Sequence, residues 1–365
     1  MKNIRAYSST KKRLIWVVFM FVLIFLLFRL KNYPAIVEEY YSQAIFPFIR
    51  SGLQLIFNRI PFSIGDIFYL LLTLFIAVSI IRIIRKGFFQ KKAKEAVHLL
   101  LGLVLALQVC TLVFYLFWGL NYFRTEAFER LDLTESDYSA AELITVGSML
   151  IDSVNYSRAE VRSEDLAQSN DSIFKSASRA IQNSGASEPV AKPSLSGPIL
   201  SYLGTAGYYN PFTGEAQINA LMPVYLRPFV ACHEMAHQNG FGAENEANFV
   251  GFISGINSKN RLLKYSSYYL ATQEFLTAIW ATDSMAFKTL KSRISPKVLT
   301  DLKSESEYWK SYRGATSKLS SIFYDNYLKA NNQPDGLRTY NKMIRLSMAY
   351  YKKKGLIKAP LNLTP

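Results

Sequence analysis

The chain has 365 residues, of which 50% are hydrophobic, and a formal net charge of +15. Only two residues are cysteines, which excludes a disulfide-stapled scaffold. The first 119 residues hold 15 Lys and Arg against 4 Asp and Glu, whereas residues 120–365 hold 27 against 23. Because the basic excess is interleaved with long apolar runs, it indicates membrane anchoring and argues against nucleic-acid binding.

Three apolar runs in the first third of the chain predict transmembrane helices. The uncharged run Leu14–Phe28 follows three basic residues and precedes no small-residue cleavage site, which favours an uncleaved anchor over a signal peptide. The next two runs are Ile67–Ile81 and Val97–Leu120. Roughly 20 apolar residues span a bilayer as a helix. We therefore expect an anchor domain over residues 1–120, with spans at about 14–30, 66–83 and 97–120.

The distribution of basic residues predicts the orientation. By the positive-inside rule, the basic N-terminal tail and the basic loop after the second span stay in the cytoplasm. Three crossings then place residues 121–365 outside the cytoplasm, so we expect a multi-pass protein of the cytoplasmic (inner) membrane. The basic residues concerned are Lys2, Arg5, Lys11, Lys12 and Arg13 in the tail, and Arg82, Arg85, Lys86, Lys91, Lys92 and Lys94 in the loop.

The remainder, residues 121–365, has the pattern of a mainly helical domain. Apolar residues recur at helical spacing over Ser139–Ser157 and Arg158–Asn183, and again beyond residue 260. A Gly-, Pro- and Ser-rich connection covers Gly185–Pro198. Two short strands are predicted at Ile199–Leu203 and Gly214–Ala220. The expected fold class is a mainly α membrane protein, with three N-terminal transmembrane helices followed by an α-rich domain that holds a small β-sheet.

A five-residue motif carries the chemistry. Histidine occurs three times in the chain, and two of the three form His233-Glu234-Met235-Ala236-His237. Residues four apart share one face of a helix, so both imidazoles can reach one metal ion. Glu234 points to a neighbouring face, where it can act as general base on a metal-bound water. Pro228 suits the first helical turn and Asn239-Gly240 suits the end, so a helix is expected here.

The third metal ligand is expected to be a carboxylate, because the remaining histidine, His98, starts the third span on its predicted cytoplasmic side. Two glycines after the motif allow a chain reversal into a second helix from about Ala243. Either Glu244 or Glu246 could then face the metal. Glu244 is favoured because Asn248, one turn later, could hold a ligand imidazole by a hydrogen bond. Glu246 remains the alternative.

The motif resembles that of the zincin metallopeptidases of the glutamate type, the gluzincins. Their second element, Glu-x-x-small-Asp, is similar to residues 244–248, with Asn248 in place of the usual Asp. The resemblance implies an α-rich zincin-like domain with its metal motif at 233–248. It further implies Zn²⁺ held by His233, His237 and Glu244, with Glu234 as the catalytic base.

The chain also departs from the gluzincin pattern. Only six residues separate His237 from Glu244, where gluzincins usually carry a long insertion. Residues 242–247 look like the third-ligand segment of thermolysin-like enzymes, a register that would select Glu246. With the three spans and the segment 118–124 (WGLNYFR), the whole chain resembles an uncharacterised family of bacterial integral-membrane proteins with an HExxH zinc peptidase domain, for which no substrate is established.

Further residues are candidates for contacts with a substrate. Residues 214–220 alternate polar and apolar, as in a strand with one solvated face, which is either a substrate-pairing strand or an ordinary sheet strand. An oxyanion donor is also required, and Tyr208, Tyr209 and Arg227 are the candidates. The tyrosines 265, 268 and 269 are expected to face the core or lipid headgroups.

The expected function is that of a membrane-anchored zinc-dependent metallohydrolase. The expected substrates are peptides or proteins at the outer face of the cytoplasmic membrane, and the expected partners are the lipid bilayer and that substrate, without nucleic acid. The alternative is a catalytically inactive binding or assembly protein that retains the fold. The absence of an identifiable proton donor and the Asn at position 248 keep that alternative open.

Overall fold

The computed structural model describes residues 2–182, 188–334, 336 and 343–357, with side chains from residue 9 onward. The chain forms two compact units. The first comprises residues 1–124 together with 211–214, and the second comprises 125–210 and 215–365. The boundary thus lies four residues after the expected one, and the turn at 211–214 joins the first unit, which the sequence did not indicate.

The first unit is helical. Its α-helices are α1 (Lys2–Phe28), α2 (Pro34–Ile36), α3 (Phe46–Phe57), α4 (Ile64–Ile84) and α5 (Ala93–Phe117), with π-helical turns at Val37–Ile45 and Arg85–Phe89 and 3₁₀ turns at Arg29–Asn32 and Gly119–Phe123. Three segments are long and apolar enough to cross a membrane: Ser9–Asn32, Ile64–Phe89 and Ala93–Phe117. Their apolar side chains are largely exposed, as expected where lipid replaces a protein core. The three predicted transmembrane helices are confirmed, and the chain is a mainly α membrane protein.

Polar contacts join the helices of the first unit. On α5, the carbonyl of His98 accepts a hydrogen bond from Arg13 at 2.8 Å. Beyond α5, the segment 118–124 folds back against the π-helical turn Val37–Ile45. There the Arg124 guanidinium donates to both carboxylate oxygens of Glu38, at 2.6 and 2.7 Å. Both side chains of this ion pair are nearly buried. The segment WGLNYFR is therefore a buried structural element of the first unit.

The second unit contains twelve α-helices and three strands among its described residues. The helices are α6 (Ala127–Arg130), α7 (Ala140–Glu160), α8 (Ser163–Leu166), α9 (Asn170–Gln182), α10 (Gly197–Leu203), α11 (Arg227–Gln238), α12 (Glu244–Ile256), α13 (Arg261–Thr282), α14 (Ser284–Lys291), α15 (Pro296–Tyr312), α16 (Ala315–Ala330) and α17 (Met343–Lys353). The strands are β1 (Ala191–Pro193), β2 (Gly207–Asn210) and β3 (Glu215–Ile218).

Two local predictions need correction. The expected strand Ile199–Leu203 is helix α10, because Pro198 lies in its first turn and Gly204 ends it in the left-handed region at φ +73°. The expected helix Arg158–Asn183 is divided among the end of α7, α8 and α9. Part of the expected connection Gly185–Pro198 forms β1, and residues 183–187 lie outside the described residues.

The sheet has the order β1-β3-β2, with β1 parallel and β2 antiparallel to β3. The central position of β3 overturns the expectation that one of its faces is solvated. Both neighbouring strands and the surrounding helices cover it, so Glu215, Gln217 and Asn219 are all buried. The carboxylate of Glu215 is compensated by Lys192 of β1, whose ammonium lies 2.8 Å away.

The core of the second unit surrounds α11. This helix packs against α9, α12, α13 and β3, while α13 also packs along α7. Apolar burial of this kind is the main stabilising contribution in a folded domain. The tyrosines 265 and 269 of α13 are fully buried in that core rather than facing lipid headgroups. The motif helix is therefore an interior element whose polar side chains are shielded from water.

Candidate metal centre

The motif lies on a helix with clear ends. Helix α11 carries Pro228 in its first turn, and its last residue is followed by Asn239 as the C-cap. Gly240 adopts φ +85°, a conformation that glycine takes at little steric cost, and it reverses the chain. Helix α12 then begins at Glu244. The predicted helix, turn and second helix are thus present with nearly the expected bounds.

The two helices cross closely at a glycine. A Cβ on Gly251 of α12 would lie 3.3 Å from the backbone nitrogen of His233 and 3.4 Å from the ring of Phe229. A side chain at position 251 would therefore separate α12 from α11. The close crossing keeps the first turn of α12 against the C-terminal half of α11, and this brings Glu244 to the histidines.

Ligand atoms of three residues meet at the crossing. The Nε2 atoms of His233 and His237 are 3.1 Å apart. Glu244 Oε2 lies 3.2 Å from the His233 Nε2, and Glu244 Oε1 lies 3.5 Å from the His237 Nε2. Two ligands about 2.05 Å from a tetrahedral zinc ion are separated by about 3.3 Å. All three residues are buried, so their spacing and donor types fit a zinc ion with three protein ligands.

The structure distinguishes between the two candidate carboxylate ligands, Glu244 and Glu246. The carboxylate of Glu246 forms a buried ion pair with Arg130, and the Arg130 guanidinium also lies 5.3 Å from the ring centroid of Phe241. A carboxylate that compensates a buried guanidinium is not available to a metal without leaving that cation unpaired. Of the two predicted candidates, Glu244 is thus the residue placed within reach of both imidazoles.

Hydrogen bonding to the imidazoles differs from the prediction. The Nδ1 of His237 lies 2.7 Å from the carbonyl of Phe241, which the turn at Gly240 directs back toward the ring. A donor Nδ1–H at this contact leaves Nε2 with its lone pair for a metal. The Nδ1 of His233 has no hydrogen-bond partner among the described residues. Neither ring is held by Asn248, which is buried on α12, so the expected role of Asn248 is wrong in this structure.

Strand β2 positions the catalytic candidate Glu234. A Cβ on Gly207 would lie 3.0 Å from both Cγ and Oε1 of Glu234, so the absence of a side chain there admits the carboxylate. The backbone N–H of Tyr209 donates a hydrogen bond to it. The ligand atoms of Glu234, His233 and His237 lie within 4.8 Å of one another. Glu234 is therefore beside the candidate metal position and is anchored to the edge strand of the sheet.

The cluster is electrostatically coupled. Burial raises the pKa of Glu234. Burial would also raise the pKa of Glu244, but the two imidazoles outweigh it and hold that pKa well below its usual range. For His237 burial favours the neutral ring, yet Glu244 and Glu234 outweigh burial and raise the pKa to about 9. Without a metal, the cluster thus retains a proton on an imidazole; a divalent cation can take over that compensating charge.

A tyrosine that the sequence did not indicate completes the site. The hydroxyl of Tyr324, on α16, donates a hydrogen bond to Glu244 Oε1 at 2.6 Å. It lies 80 residues after Glu244 in the chain, and none of the local patterns around it marks it among 23 tyrosines. Its position makes it a hydroxyl donor beside the metal ligands.

Of the three predicted oxyanion donors, Tyr208 and Tyr209 lie on β2 and Arg227 lies at the start of α11. Tyr209 contributes its backbone N–H to Glu234, and Tyr208 lies on β2 opposite Gln217. Arg227 is at the start of α11, six residues or about 9 Å of helix rise before His233. Its guanidinium donates to the carbonyl of Met222 at 2.9 Å and to Asn170 at 3.0 Å. The structure therefore brings Tyr324, rather than Arg227, to the cluster.

No curated protein and no solved structure matches the chain. A family sequence model matches residues 41–348, which cover most of the first unit and nearly all of the second, including the motif and Tyr324. The description of that family gives no activity, ligand or partner. The chain belongs to the family described as "Protein of unknown function (DUF3810)".

Proposed function

We propose that the protein is a membrane-anchored zinc-dependent metallohydrolase that cleaves peptides or proteins. The observation that supports this most strongly is the convergence of the two imidazoles and the Glu244 carboxylate. The His233 and His237 Nε2 atoms are 3.1 Å apart, and they lie 3.2 Å from Glu244 Oε2 and 3.5 Å from Glu244 Oε1, respectively. These distances are close to the ligand separation of about 3.3 Å in a tetrahedral zinc site. Structural zinc sites usually have four protein ligands, and catalytic ones have three with an open position. With Glu234 assigned as the general base, the described residues supply three ligands, so the proposal is a catalytic site.

The residues of the chain divide the chemistry among them. When bound, zinc would supply a Lewis acid that polarises a carbonyl and lowers the pKa of water. Glu234 accepts a proton from the attacking water as the oxygen of that water bonds to the peptide carbonyl carbon. As the C–N bond breaks, Glu234 returns that proton to the leaving amine.

Tyr324 supplies the donor that was missing from the sequence prediction. Its hydroxyl donates to a ligand oxygen 2.6 Å away. For catalysis it would transfer that single hydrogen bond to the substrate carbonyl oxygen as charge develops there. An identified donor removes one of the two reasons for considering a catalytically inactive binding protein. The second unit is proposed to lie outside the cytoplasm, because the basic tail and the basic loop 82–94 are retained on the cytoplasmic side.

Replacement of Glu234 by Gln in the full chain tests the proposal. The protein is purified in detergent, loaded with zinc and given a proteome-derived peptide library, and cleavage is followed by mass spectrometry. We expect Glu234→Gln to retain zinc while hydrolysis falls by about 10²–10⁴-fold, the range for loss of a general base. Glu307→Gln, at an exposed ion pair with Lys303, is the control and should change neither quantity. A zinc-loaded wild type that cleaves no peptide would favour the non-catalytic binding protein.

Tyr324→Phe tests the hydroxyl donor. Loss of one such donor typically lowers kcat by about 10²-fold or more. Because Tyr324 also supports the ligand Glu244, kcat is measured at saturating zinc. Tyr327→Phe is the matched control, since it removes the hydroxyl of the neighbouring tyrosine, whose ring stacks on that of Tyr324 with centroids 6.0 Å apart. Equal kcat in the two variants would remove Tyr324 from the mechanism.

A further inference from the structure

A groove of about 440 Å³ lies between α10, α15 and α16 in the second unit. None of the site residues described above lines it. Its lining combines two cations, two aromatic rings, three serines and a glycine: Arg313, Lys318, Trp309, Tyr312, Ser201, Ser317, Ser321 and Gly204. The groove is thus large enough for a side chain or a short peptide segment, and it is basic.

The two cations of the groove are available to an anion. Arg313 and Lys318 are both exposed. Among the residues that the structure describes, no carboxylate forms an ion pair with either of them. A guanidinium binds a carboxylate through two parallel hydrogen bonds, and an ammonium beside it adds attraction. The lining chemistry therefore suits a carboxylate whose apolar neighbours rest on Trp309 and Tyr312.

Both walls of the groove lead to the metal centre. On α16, Ser317, Ser321 and Tyr324 are separated by four and three residues, so they share one helix face. Ser321 lines the groove and Tyr324 contacts Glu244. On the opposite wall, Gly204 lines the groove and Gly207, three residues later, abuts Glu234. Two separate segments of the chain therefore run from the groove to the cluster.

The spacing gives the position of the bound group. From Ser317 to Tyr324 the axis of α16 rises by about 10.5 Å, and an extended peptide advances about 3.3 Å per residue. We propose that the groove is a substrate subsite that binds a carboxylate about three residues from the cleaved peptide bond. This inference rests on the proposed peptidase function and names its substrate class, an acidic peptide. The carboxylate is that of an Asp or Glu side chain or of the peptide C-terminus.

Peptide binding tests the subsite without hydrolysis. The zinc-loaded full-length Glu234→Gln protein is titrated against nonapeptides with a neutral fluorophore, and fluorescence anisotropy gives Kd. The peptides carry Asp or Asn at the centre, each with a free or an amidated C-terminus, which separates the two carboxylate sources. We expect at least one carboxylate-bearing peptide to bind about tenfold more tightly than the neutral one. The preference should weaken as salt increases, because exposed charges are screened.

Removal of the groove cations assigns the preference to the groove. In the same background, Arg313→Gln with Lys318→Gln should bring the acidic peptide to the Kd of the neutral peptide, while the Kd of the neutral peptide stays constant. Lys297→Gln with Lys303→Gln, an equal charge change on two exposed residues of α15 outside the groove, should leave the tenfold preference intact. Equal Kd values for acidic and neutral peptides, or a preference that survives the double substitution, would overturn the inference. Failure of the peptidase proposal is separate: the intact protein would then cleave nothing, whatever the anisotropy shows.

Discussion

Two buried polar clusters in the second unit have opposite electrostatic organisation. The first, here called the tyrosine network, joins α7, α13 and α15 and consists of Arg158, Tyr225, Tyr265, Tyr269, Asp301 and Glu305. In it, Asp301 Oδ2 accepts from Arg158 at 2.5 Å and from Tyr265 at 2.6 Å. The hydroxyls of the two other tyrosines donate to the Asp301 carbonyl and to the Glu305 carboxylate, each at 2.6 Å. Each of these groups has a complementary partner.

The second cluster, the metal cluster, consists of His233, Glu234, His237 and Glu244. Its two carboxylates form no ion pair with a lysine or arginine in the described part of the chain. The two imidazole Nε2 atoms face each other at 3.1 Å, and His233 Nδ1 has no hydrogen-bond partner in the described residues. Buried polar groups that are incompletely satisfied are costly and are found at functional sites. The tyrosine network is thus internally compensated, whereas the metal cluster is not, and this difference supports the proposal that the metal cluster binds a cation.

The largest expected effect is loss of zinc from the metal cluster when one ligand is changed. Glu244→Gln should lower zinc affinity by more than about 100-fold, because even a residue that only supports a ligand contributes 10–100-fold. The matched variant Glu246→Gln, two residues away and equally buried, should keep zinc while weakening its ion pair with Arg130. Zinc content after dialysis against a weak chelator, measured on the full chain by mass spectrometry, gives the comparison.

The reverse result would change the ligand assignment. If Glu246→Gln lost zinc and Glu244→Gln retained it, the thermolysin-like register considered in the sequence analysis would be correct. Equal zinc in both variants would remove the carboxylate ligand altogether. In either case Glu244 would be a buried acid that binds no metal. The contrast between a structural tyrosine network and a cation-binding metal cluster would then no longer hold.

The sequence predicts the metal cluster well because its geometry is local. Residues 233 and 237 are one turn apart on a helix with recognisable ends, and Glu244 follows after a short turn. The choice between Glu244 and Glu246 was not determined locally. It depends on Arg130, which is 116 residues earlier in the chain and claims Glu246. No periodicity in a single sequence encodes such a pairing.

The local sequence pattern was also misleading at two segments, 199–203 and 214–220. The run 199–203 suits a strand or a buried helix, and Pro198 and Gly204 decide for the helix. Residues 214–220 alternate as a half-solvated strand would, yet the side chains on both faces of β3 are buried, and helix α11 packs against it. The three apolar runs of the first unit were predicted correctly because length and composition alone determine a membrane-spanning helix.

The second effect is a loss of stability when the tyrosine network is broken. Asp301→Ala leaves Arg158 buried without a counter-ion, which typically costs about 3–5 kcal/mol. For a unit of this size we expect the apparent Tm to fall by about 10 °C. Asp152→Ala, on the same helix as Arg158, removes an exposed ion pair with Arg293 and should cost less than about 1 kcal/mol.

Zinc affinity should be unchanged in both aspartate variants, because neither residue contacts the metal cluster. Thermal unfolding of the full chain in detergent, followed by tryptophan fluorescence and paired with zinc analysis, measures both quantities. A loss of zinc in folded Asp301→Ala would show that the two clusters are coupled and that the tyrosine network has a functional role.

The smallest effect is confined to alkaline pH. Burial, followed by the carboxylates of Asp301 and Glu305, raises the pKa of Tyr265 and of Tyr269 far above the ordinary value of about 10. The neutral phenol is thus favoured in the folded state. Its contribution to stability is complete below pH 10 and declines by about 1.4 kcal/mol per pH unit and per tyrosine as pH rises toward the folded pKa.

Absorbance at 295 nm, which reports phenolate, and far-UV circular dichroism should therefore change together for the buried tyrosines above pH 10. Tyr269→Phe should cost only about 1 kcal/mol at pH 7, where one hydrogen bond to Glu305 is lost, and should make stability decline less steeply with alkali. Tyr156→Phe, at an exposed position on α7, should leave the alkaline slope as it is. Ionisation of the buried tyrosines near pH 10 in a still-helical protein would mean that water reaches the tyrosine network. The network would then not be a buried cluster with fully paired polar groups, and the contrast with the metal cluster would fail.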